Sequence, residues 1–451
     1  MNIDSLLEKV DRGYLCLSCG YFEKRVSRGY IDKCPVCGGP LVPVINEIPE
    51  PSSEKGVWRW SSAFLHTDLS KKITLFEGST PLIRLDRLGR EYKIKNLFFK
   101  DESRNPTSLF IDRGSAYLSS VLASRGVRSI LVFSRGDLSI SMGSYARRAR
   151  IKIFSFVPSD IIPSKLYRVK LISSRTTLVD DFDTLLNLMN RFSMKFKNKY
   201  VVSQTNPYLM SGFQTILFEI IHDLGTPPKA ILLPFGDGAL MASLLILVKK
   251  LRLRTKLIGV TTNFSSPALY EIREDRSLLK EYVDELIKDT EHEIIRVSED
   301  SVLSAIRYLA REEGVPADPV NASLVSSIHS DYIKVMGLEN VVLLFTGGVL
   351  TDPVVIRAVL EERENRMISL GFTKEKILEI LLEEEDASAY RIWQRLRSTY
   401  NIKISLRSIY NHLNDLEKRK LIRSEIVRDE SSGRPKKIYV LNDLAYVFLK
   451  K

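Results

Sequence analysis

The 451-residue sequence predicts an α/β protein, a mostly parallel sheet covered by helices on both faces, with a small module on either side of it. Three observations carry that expectation. Short apolar runs alternate with amphipathic helical stretches from about residue 70 to 360, all four cysteines fall in the first 40 residues, and most of the positive charge falls in the last 65. With 44% hydrophobic residues the chain can bury a large core, and its length suits two or three domains. The boundaries expected are 1–45, 46–365 and 372–451, with the polar stretch 361–371 (EERENRMISLG) as a helix end and linker.

The apolar runs include 129–133 (SILVF), 153–157 (IFSFV), 230–235 (AILLPF), 256–260 (KLIGV) and 341–345 (VVLLF). Continuous apolar strands separated by helices belong to parallel sheets buried on both faces. Several of them run into a Gly-containing turn that opens a helix, and ligands in such folds bind beyond the carboxyl ends of the strands.

The cysteines form two pairs, Cys16-x-x-Cys19 and Cys34-x-x-Cys37. Each short knuckle turns two sulfurs toward one point, so the two pairs suit one tetrahedral Zn²⁺. Gly20, Gly38 and Gly39 follow the pairs, where knuckle turns need a permissive backbone. Four thiolates leave no open coordination position, so the zinc is expected to be structural. A disulfide pair is the alternative, and a reducing compartment argues against it. No apolar run reaches the roughly 18–20 residues needed to cross a bilayer. The opening MNIDSLLEKVDRGY has neither a basic nor an apolar leader region, so no membrane partner and a cytoplasmic location are expected.

The net charge is +12, and residues 387–451 carry 15 Lys+Arg against 6 Asp+Glu, a net of +9. Within this segment, 373–382 (TKEKILEILL) predicts a first helix with Ile377, Leu378, Leu381 and Leu382 as its apolar stripe. A second helix is expected over 388–400 (SAYRIWQRLRSTY) and a third over 405–420 (SLRSIYNHLNDLEKRK), with Ser405 as N-cap. The third places Leu406, Ile409, Leu413 and Leu416 on one face and Arg407, Asn411, Asn414 and Lys418 on the other. A helix of that kind has the chemistry to read base edges and phosphates. Two β segments, 421–427 and 437–441, flank the polar loop 428–436 (RDESSGRPK). The whole resembles the winged helix-turn-helix of bacterial and archaeal regulators, with Arg434, Lys436 and Lys437 in the wing beside DNA phosphates or in the minor groove. A winged helix used for protein contacts is the rival reading.

Seven stretches of the middle block occur together and in order: 77–88 (EGSTPLIRLDRL), 100–114 (KDESRNPTSLFIDRG), 134–151 (SRGDLSISMGSYARRARI), 206–215 (NPYLMSGFQT), 232–243 (LLPFGDGALMAS), 317–323 (ADPVNAS) and 346–353 (TGGVLTDP). On these residues the block resembles threonine synthase, of the tryptophan-synthase-β type (fold type II) of pyridoxal-phosphate enzymes. The resemblance implies that fold and a cleft for the cofactor. It also implies a Schiff-base lysine at the position that Ile111 occupies here, and isoleucine has no nitrogen to form that bond or shuttle a proton. Other implied cofactor positions differ too. Asp137 stands for an asparagine, Gly236-Asp237-Gly238 has gained a negative charge in the phosphate loop, and Thr351 replaces a lysine, whereas Thr346 keeps its hydroxyl. Lys100 matches a second lysine of the pattern and is expected to be structural.

No catalytic residue is therefore expected, and a covalently held pyridoxal phosphate is not. The reading is a DNA-binding regulator, a homodimer on double-stranded DNA, built on a non-catalytic enzyme scaffold. An amino acid or a phosphorylated metabolite, or the cofactor itself held without a Schiff base, is the effector to test in the cleft. The rivals are a lyase that uses another base and a non-catalytic partner of an active paralogue.

Overall fold

The computed structural model describes residues 3–24, 30–65, 72–195, 200–263, 267–273, 277–288, 290–331, 337–347, 372–400, 402, 404–418, 421–428, 435–442 and 445. They fall into two compact units, one within 1–356 and one within 357–451, each taken by itself below. The linker 361–371, Thr351 and Arg434 lie outside the described residues.

In the first unit the apolar runs are shared between two sheets. The larger has six strands in the order Glu293–Arg296, Lys256–Thr261, Ala230–Pro234, Glu339–Phe345, Lys95–Asp101 and Leu82–Arg84. Every neighbouring pair is parallel except the last, where Leu82–Arg84 runs antiparallel. The smaller has four parallel strands in the order Arg175–Val179, Lys152–Pro158, Ser129–Phe133 and Tyr200–Val202. All five residues of Ala230–Pro234 are buried, as expected of a central strand with helices on both sides.

Helix packing at the centre depends on two glycines. A Cβ on Gly114, in helix Asp112–Ser124, would lie 2.5 Å from the Leu209 carbonyl oxygen, and one on Gly212, in helix Pro207–Leu224, would lie 2.5 Å from Gly114. Only glycine lets these backbones approach so closely. Helix Pro207–Leu224 begins on Asn206, whose side chain accepts from the Tyr208 N–H, and ends at Gly225 in the left-handed conformation.

Within the first 45 residues, Gly13–Cys16 pairs antiparallel with Phe22–Glu23 and Leu41–Val44 in a three-stranded sheet. Tyr14, Leu15, Leu41 and Val42 are buried in the same apolar core as the large helices. The Gln214 side chain donates to the Pro43 carbonyl at 3.0 Å, which fixes the strand to its helix.

The second unit has helices Phe372–Glu384, Ala389–Thr399 and Leu406–Lys418, and a three-stranded sheet ordered Asp386–Ser388, Pro435–Leu441, Ile422–Arg428. The hairpin Ile422–Arg428 with Pro435–Leu441 is the expected wing, and Asp386–Ser388 is a third strand too short for sequence periodicity to reveal. Ser405 accepts from the Ser408 N–H at 3.2 Å, so the expected cap is made. One expected core position is corrected. Leu382 is exposed, and Ile380 is buried beside Ile377, Leu378 and Leu381, because Leu382 lies past the edge of the stripe that faces the other helices.

Candidate functional site

Among the described residues of the middle block, Arg135, Asp137 and Lys165 meet Glu271 in one ion-paired cluster, and other motif residues lie close to it in the fold. Ile111 is buried and lies at the start of helix Asp112–Ser124, without a side-chain capping bond. The segment before it is held in place on several sides. The Phe110 N–H donates to the Thr346 carbonyl at 2.9 Å, Leu109 bridges Gly347, and the Thr107 N–H and hydroxyl donate to Asp112 at 2.7 and 2.6 Å. Asn321 braces Thr346, accepting from its N–H at 2.9 Å. Burial pushes the Asp112 carboxyl up to about 6, against the hydroxyls of Ser141 and Thr107 that donate to it.

Asp137 opens helix Asp137–Arg148 after Gly136, whose φ of +126° few other residues adopt. Its carboxylate pairs with Lys165 at 2.9 Å, and Lys165 pairs in turn with Glu271 at 2.7 Å. Arg135 lies 3.6 Å from the same Glu271 carboxylate. Burial pushes Asp137 up, with Lys165 opposing it. For Lys165 burial acts downward, but Asp137 and Glu271 outweigh it and hold the ammonium charged. Burial pushes Asp318 up to about 7, and this carboxyl also feels Lys165 and Asp137.

The loop at Gly236–Gly238 leads into helix Ala239–Lys250. Asp237 accepts the Ala239 N–H at 2.8 Å, so the chain's own carboxylate takes the first amide of that helix. Its backbone carbonyl accepts from the Leu278 and Leu279 N–H groups. A Cβ at Gly236 would lie 2.2 Å from the Glu271 carbonyl oxygen, so Glu271 sits directly on the loop.

Lys100 is fully buried away from solvent and donates to the Thr80 carbonyl at 2.7 Å, with Glu219 and Asp223 each at 3.1 Å. Arg113 lies in the same network, paired with Glu102 and Glu219 at 2.7 Å each. Burial acts upward on Glu219, but Arg113 outweighs it and holds the carboxyl down at about 2. Lys100 is thus held in a buried network of ion pairs.

The four cysteine sulfurs lie within 4.8 Å of one another. Cys16 to Cys37 is 3.5 Å and Cys19 to Cys34 is 3.7 Å. Zn–S bonds of about 2.3 Å put tetrahedral sulfurs about 3.8 Å apart, so the set fits a metal ion. The Gly39 N–H helps to hold the Cys37 thiol down at about 7, whereas burial pushes the Cys16 thiol up to about 12.

In the second unit, Ile409, Leu413 and Leu416 are buried and Leu406 half-buried, whereas Arg407, Asn411, Asn414 and Lys418 are all exposed. Lys436 and Lys437 are exposed on the wing strand. Lys437 lies 3.9 Å from Glu417 and over the Tyr439 ring at 5.2 Å.

Residues 73–347 match the family model for pyridoxal-phosphate dependent enzymes. The chain belongs to that family. A second model, the PadR-like family of transcriptional regulators, matches residues 377–450, so a pyridoxal-phosphate-family domain of the threonine synthase type is fused to a PadR-like winged helix, a domain that suggests DNA binding. Threonine synthase of Methanocaldococcus jannaschii is 26% identical over 380 residues, 75% of this chain and 92% of that protein. The Synechocystis threonine synthase is 27% identical over 312 residues, 64% of this chain and 80% of that protein. A diaminopropionate ammonia lyase from Escherichia coli superposes with a TM-score of 0.55 at 16% identity, over 64% of this chain and 89% of that one. A pyridoxal-phosphate-dependent aspartate racemase superposes with a TM-score of 0.53 at 15% identity, over 60% and 91%. The structural likenesses bear on the fold alone.

The cofactor of this family has an aldehyde and a phosphate, and the cleft residues suit neither. Ile111 offers no amine, Lys165 is held as an ammonium between two carboxylates, and the Asp237 side chain, whose carboxyl burial pushes up, already takes the Ala239 amide at the start of the helix. Sequence reasoning singled out Ile111, Asp137 and Asp237 from local motifs. It missed the Arg135–Lys165–Glu271 cluster. Arg135 lies inside a quoted motif, but nothing near Glu271 in sequence marks it as a cleft residue. Among the described residues no helix is long and apolar enough to cross a membrane.

Proposed function

We propose that this chain is a DNA-binding transcriptional regulator whose threonine-synthase-like domain no longer catalyses and instead senses a small metabolite. The observation that carries the reading is the helix Leu406–Lys418 of the PadR-like domain, buried on one face and presenting Arg407, Asn411, Asn414 and Lys418 on the other. Those side chains suit base edges and phosphates, and the wing lysines Lys436 and Lys437, with Arg434, suit the flanking backbone. Residues 1–45 serve as a structural zinc ribbon with Cys16, Cys19, Cys34 and Cys37 as ligands, 46–365 as the sensor and 372–451 as the reader. The protein acts as a homodimer on a two-fold-related site, because two-fold proteins match two-fold DNA. A cytoplasmic location goes with that role.

The absent amine at Ile111 and the ion-paired state of Lys165 support the loss of catalysis. The deciding experiment is enrichment of genomic DNA fragments by the full-length protein, by a truncation ending near Gly371, and by a Lys436→Ala, Lys437→Ala variant. A few fragments enriched by the full chain, lost in the truncation and weakened in the variant, are expected. Equal, diffuse enrichment by all three would abandon the regulator in favour of a protein-docking winged helix.

A further inference from the structure

The ion cluster in the cleft joins two different sheets. Arg135 follows strand Ser129–Phe133, Asp137 opens the next helix, and Lys165 lies in helix Pro163–Ile172, all on the side of the four-stranded sheet. Glu271 comes from the other side. Its short turn Pro267–Ile272 follows strand Lys256–Thr261 of the six-stranded sheet, where the Ile272 carbonyl accepts from the Thr261 hydroxyl at 2.7 Å and the Thr262 N–H at 3.0 Å. Both cations of the first side converge on this one carboxylate, and Arg135 also donates to its backbone carbonyl at 3.4 Å. The Lys165, Asp137 and Glu271 side chains are 20%, 16% and 19% exposed and that of Arg135 3%, so the pairs are largely shielded from water and salt.

Glu271 has a second contact that matters. Its carbonyl covers Gly236, closer than any side chain there would allow, so the same residue that pairs with Lys165 also covers the phosphate-type loop. Arg168, one turn on from Lys165, adds a hydrogen bond to the Thr107 carbonyl at 2.8 Å, just before the segment that leads to Ile111. These contacts are interdependent, because a displaced Glu271 uncovers the loop and leaves Lys165 with Asp137 alone.

We propose that Glu271 is a built-in occupant of the cleft, an autoinhibitory latch that ties the two sheets together through Lys165 and Arg135 and keeps the Gly236–Gly238 loop covered until it is displaced. This rests on the cleft being regulatory rather than catalytic, and it gives that regulation a physical part. A ligand acts by competing with an intramolecular ion pair, and its leverage is limited to the difference in its affinity for the latched and unlatched forms. The charge states support the pairing, since Lys165 and Arg135 hold Glu271 down despite its burial.

The test is amide hydrogen exchange on the full-length protein, read in peptides that cover 236–240 and 134–142, with peptides over 377–381 as the control. Glu271→Gln keeps the shape and removes the charge, and Lys165→Met keeps the length and removes the ammonium. Each is expected to speed exchange several-fold at both cleft peptides and to leave the control unchanged. The double variant is expected to speed exchange by less than the sum of the two single effects, because the Lys165–Glu271 pair is already lost in either single variant while the Asp137 and Arg135 contacts are lost separately. Wild-type rates in Glu271→Gln, additive acceleration in the double variant, or equal acceleration in the control peptides would overturn the latch. DNA binding is not read in this experiment, so a protein that fails to enrich DNA yet shows these rates loses the regulator reading and keeps the latch.

Discussion

Ile111 differs from the expected lysine by a single side chain, yet restoring the lysine is not expected to restore the cofactor. The Asp237 carboxylate still takes the Ala239 amide, and Asp137 and Glu271 still hold charge in the cleft. Ile111→Lys alone should therefore give no stable internal aldimine with added pyridoxal phosphate, and Ile111→Lys with Asp237→Asn should give some. The visible absorbance of the aldimine and its loss on borohydride treatment measure both. A full aldimine in the single variant would show that the phosphate loop is still competent. A second expectation concerns Glu77, which is fully buried and whose carboxyl burial pushes up to about 7. A raised carboxyl favours the fold while protonated, so its contribution is complete below the unfolded value near 4.5 and is lost as pH rises through about 7. Melting temperature should fall across that window in the wild type and fall less in Glu77→Gln, at about 1.4 kcal/mol per unit of pKa difference as an upper limit. Parallel curves would mean that Glu77 is ionised in the fold. At this scale the sequence made visible what local motifs encode, namely Ile111, Asp137 and Asp237. It left Lys165 and Glu271 unseen, because a salt bridge across 106 residues depends on the tertiary fold alone.

Elements were more legible than contacts. The alternation of apolar runs and helices located five central strands, since burial on both faces leaves an unbroken apolar run. It could not divide them into two sheets, because strand order depends on how the crossovers pack. The third helix of the PadR-like domain was read correctly down to its two faces and its Ser405 cap, whereas Asp386–Ser388 was missed because three residues carry no period. Those two faces make separable predictions. Leu413→Ala removes a fully buried side chain and should cost about 2–5 kcal/mol, enough to unfold so small a domain and abolish DNA binding. Asn411→Ala lies on the exposed face, so it should leave the thermal transition unchanged and relax discrimination at one base position by about 1–3 kcal/mol. Circular dichroism and binding to single-base variants of an enriched site measure these together. Asn411→Ala that melts early, or that weakens all sites equally, would remove it from base reading. The four-cysteine segment is an element in the same sense. Its strands share the core of helix Pro207–Leu224, so if the cysteines hold zinc as proposed, chelation should lower the melting temperature of the whole first unit. An unchanged transition after complete metal loss would make the cysteines dispensable to the fold.

The chain's charge is distributed unevenly across the whole molecule, with a net of +9 out of +12 carried by residues 387–451. That concentration suits contact with a nucleic-acid backbone, because counterion release scales with the phosphates actually neutralised. The logarithm of the binding constant should fall linearly with the logarithm of salt concentration, with a slope of about −0.9 for each neutralised phosphate. Lys436 and Lys437 are both exposed on the wing, and Lys437 has only the distant Glu417 carboxylate at 3.9 Å as an ion-pair partner among the described residues. Replacing both with alanine should reduce the magnitude of the slope by about 2 for each chain on the DNA, and by about 4 if two chains bind together. The loss should be uniform across sequences, since phosphate contacts position a protein without reading bases. Anisotropy titrations of the full chain over a range of salt concentrations, on an enriched fragment and on unrelated DNA, measure the slope and its change. A slope unchanged by the substitutions would remove the wing from the DNA. A slope reduced on the enriched fragment alone would make these lysines readers of sequence or groove shape.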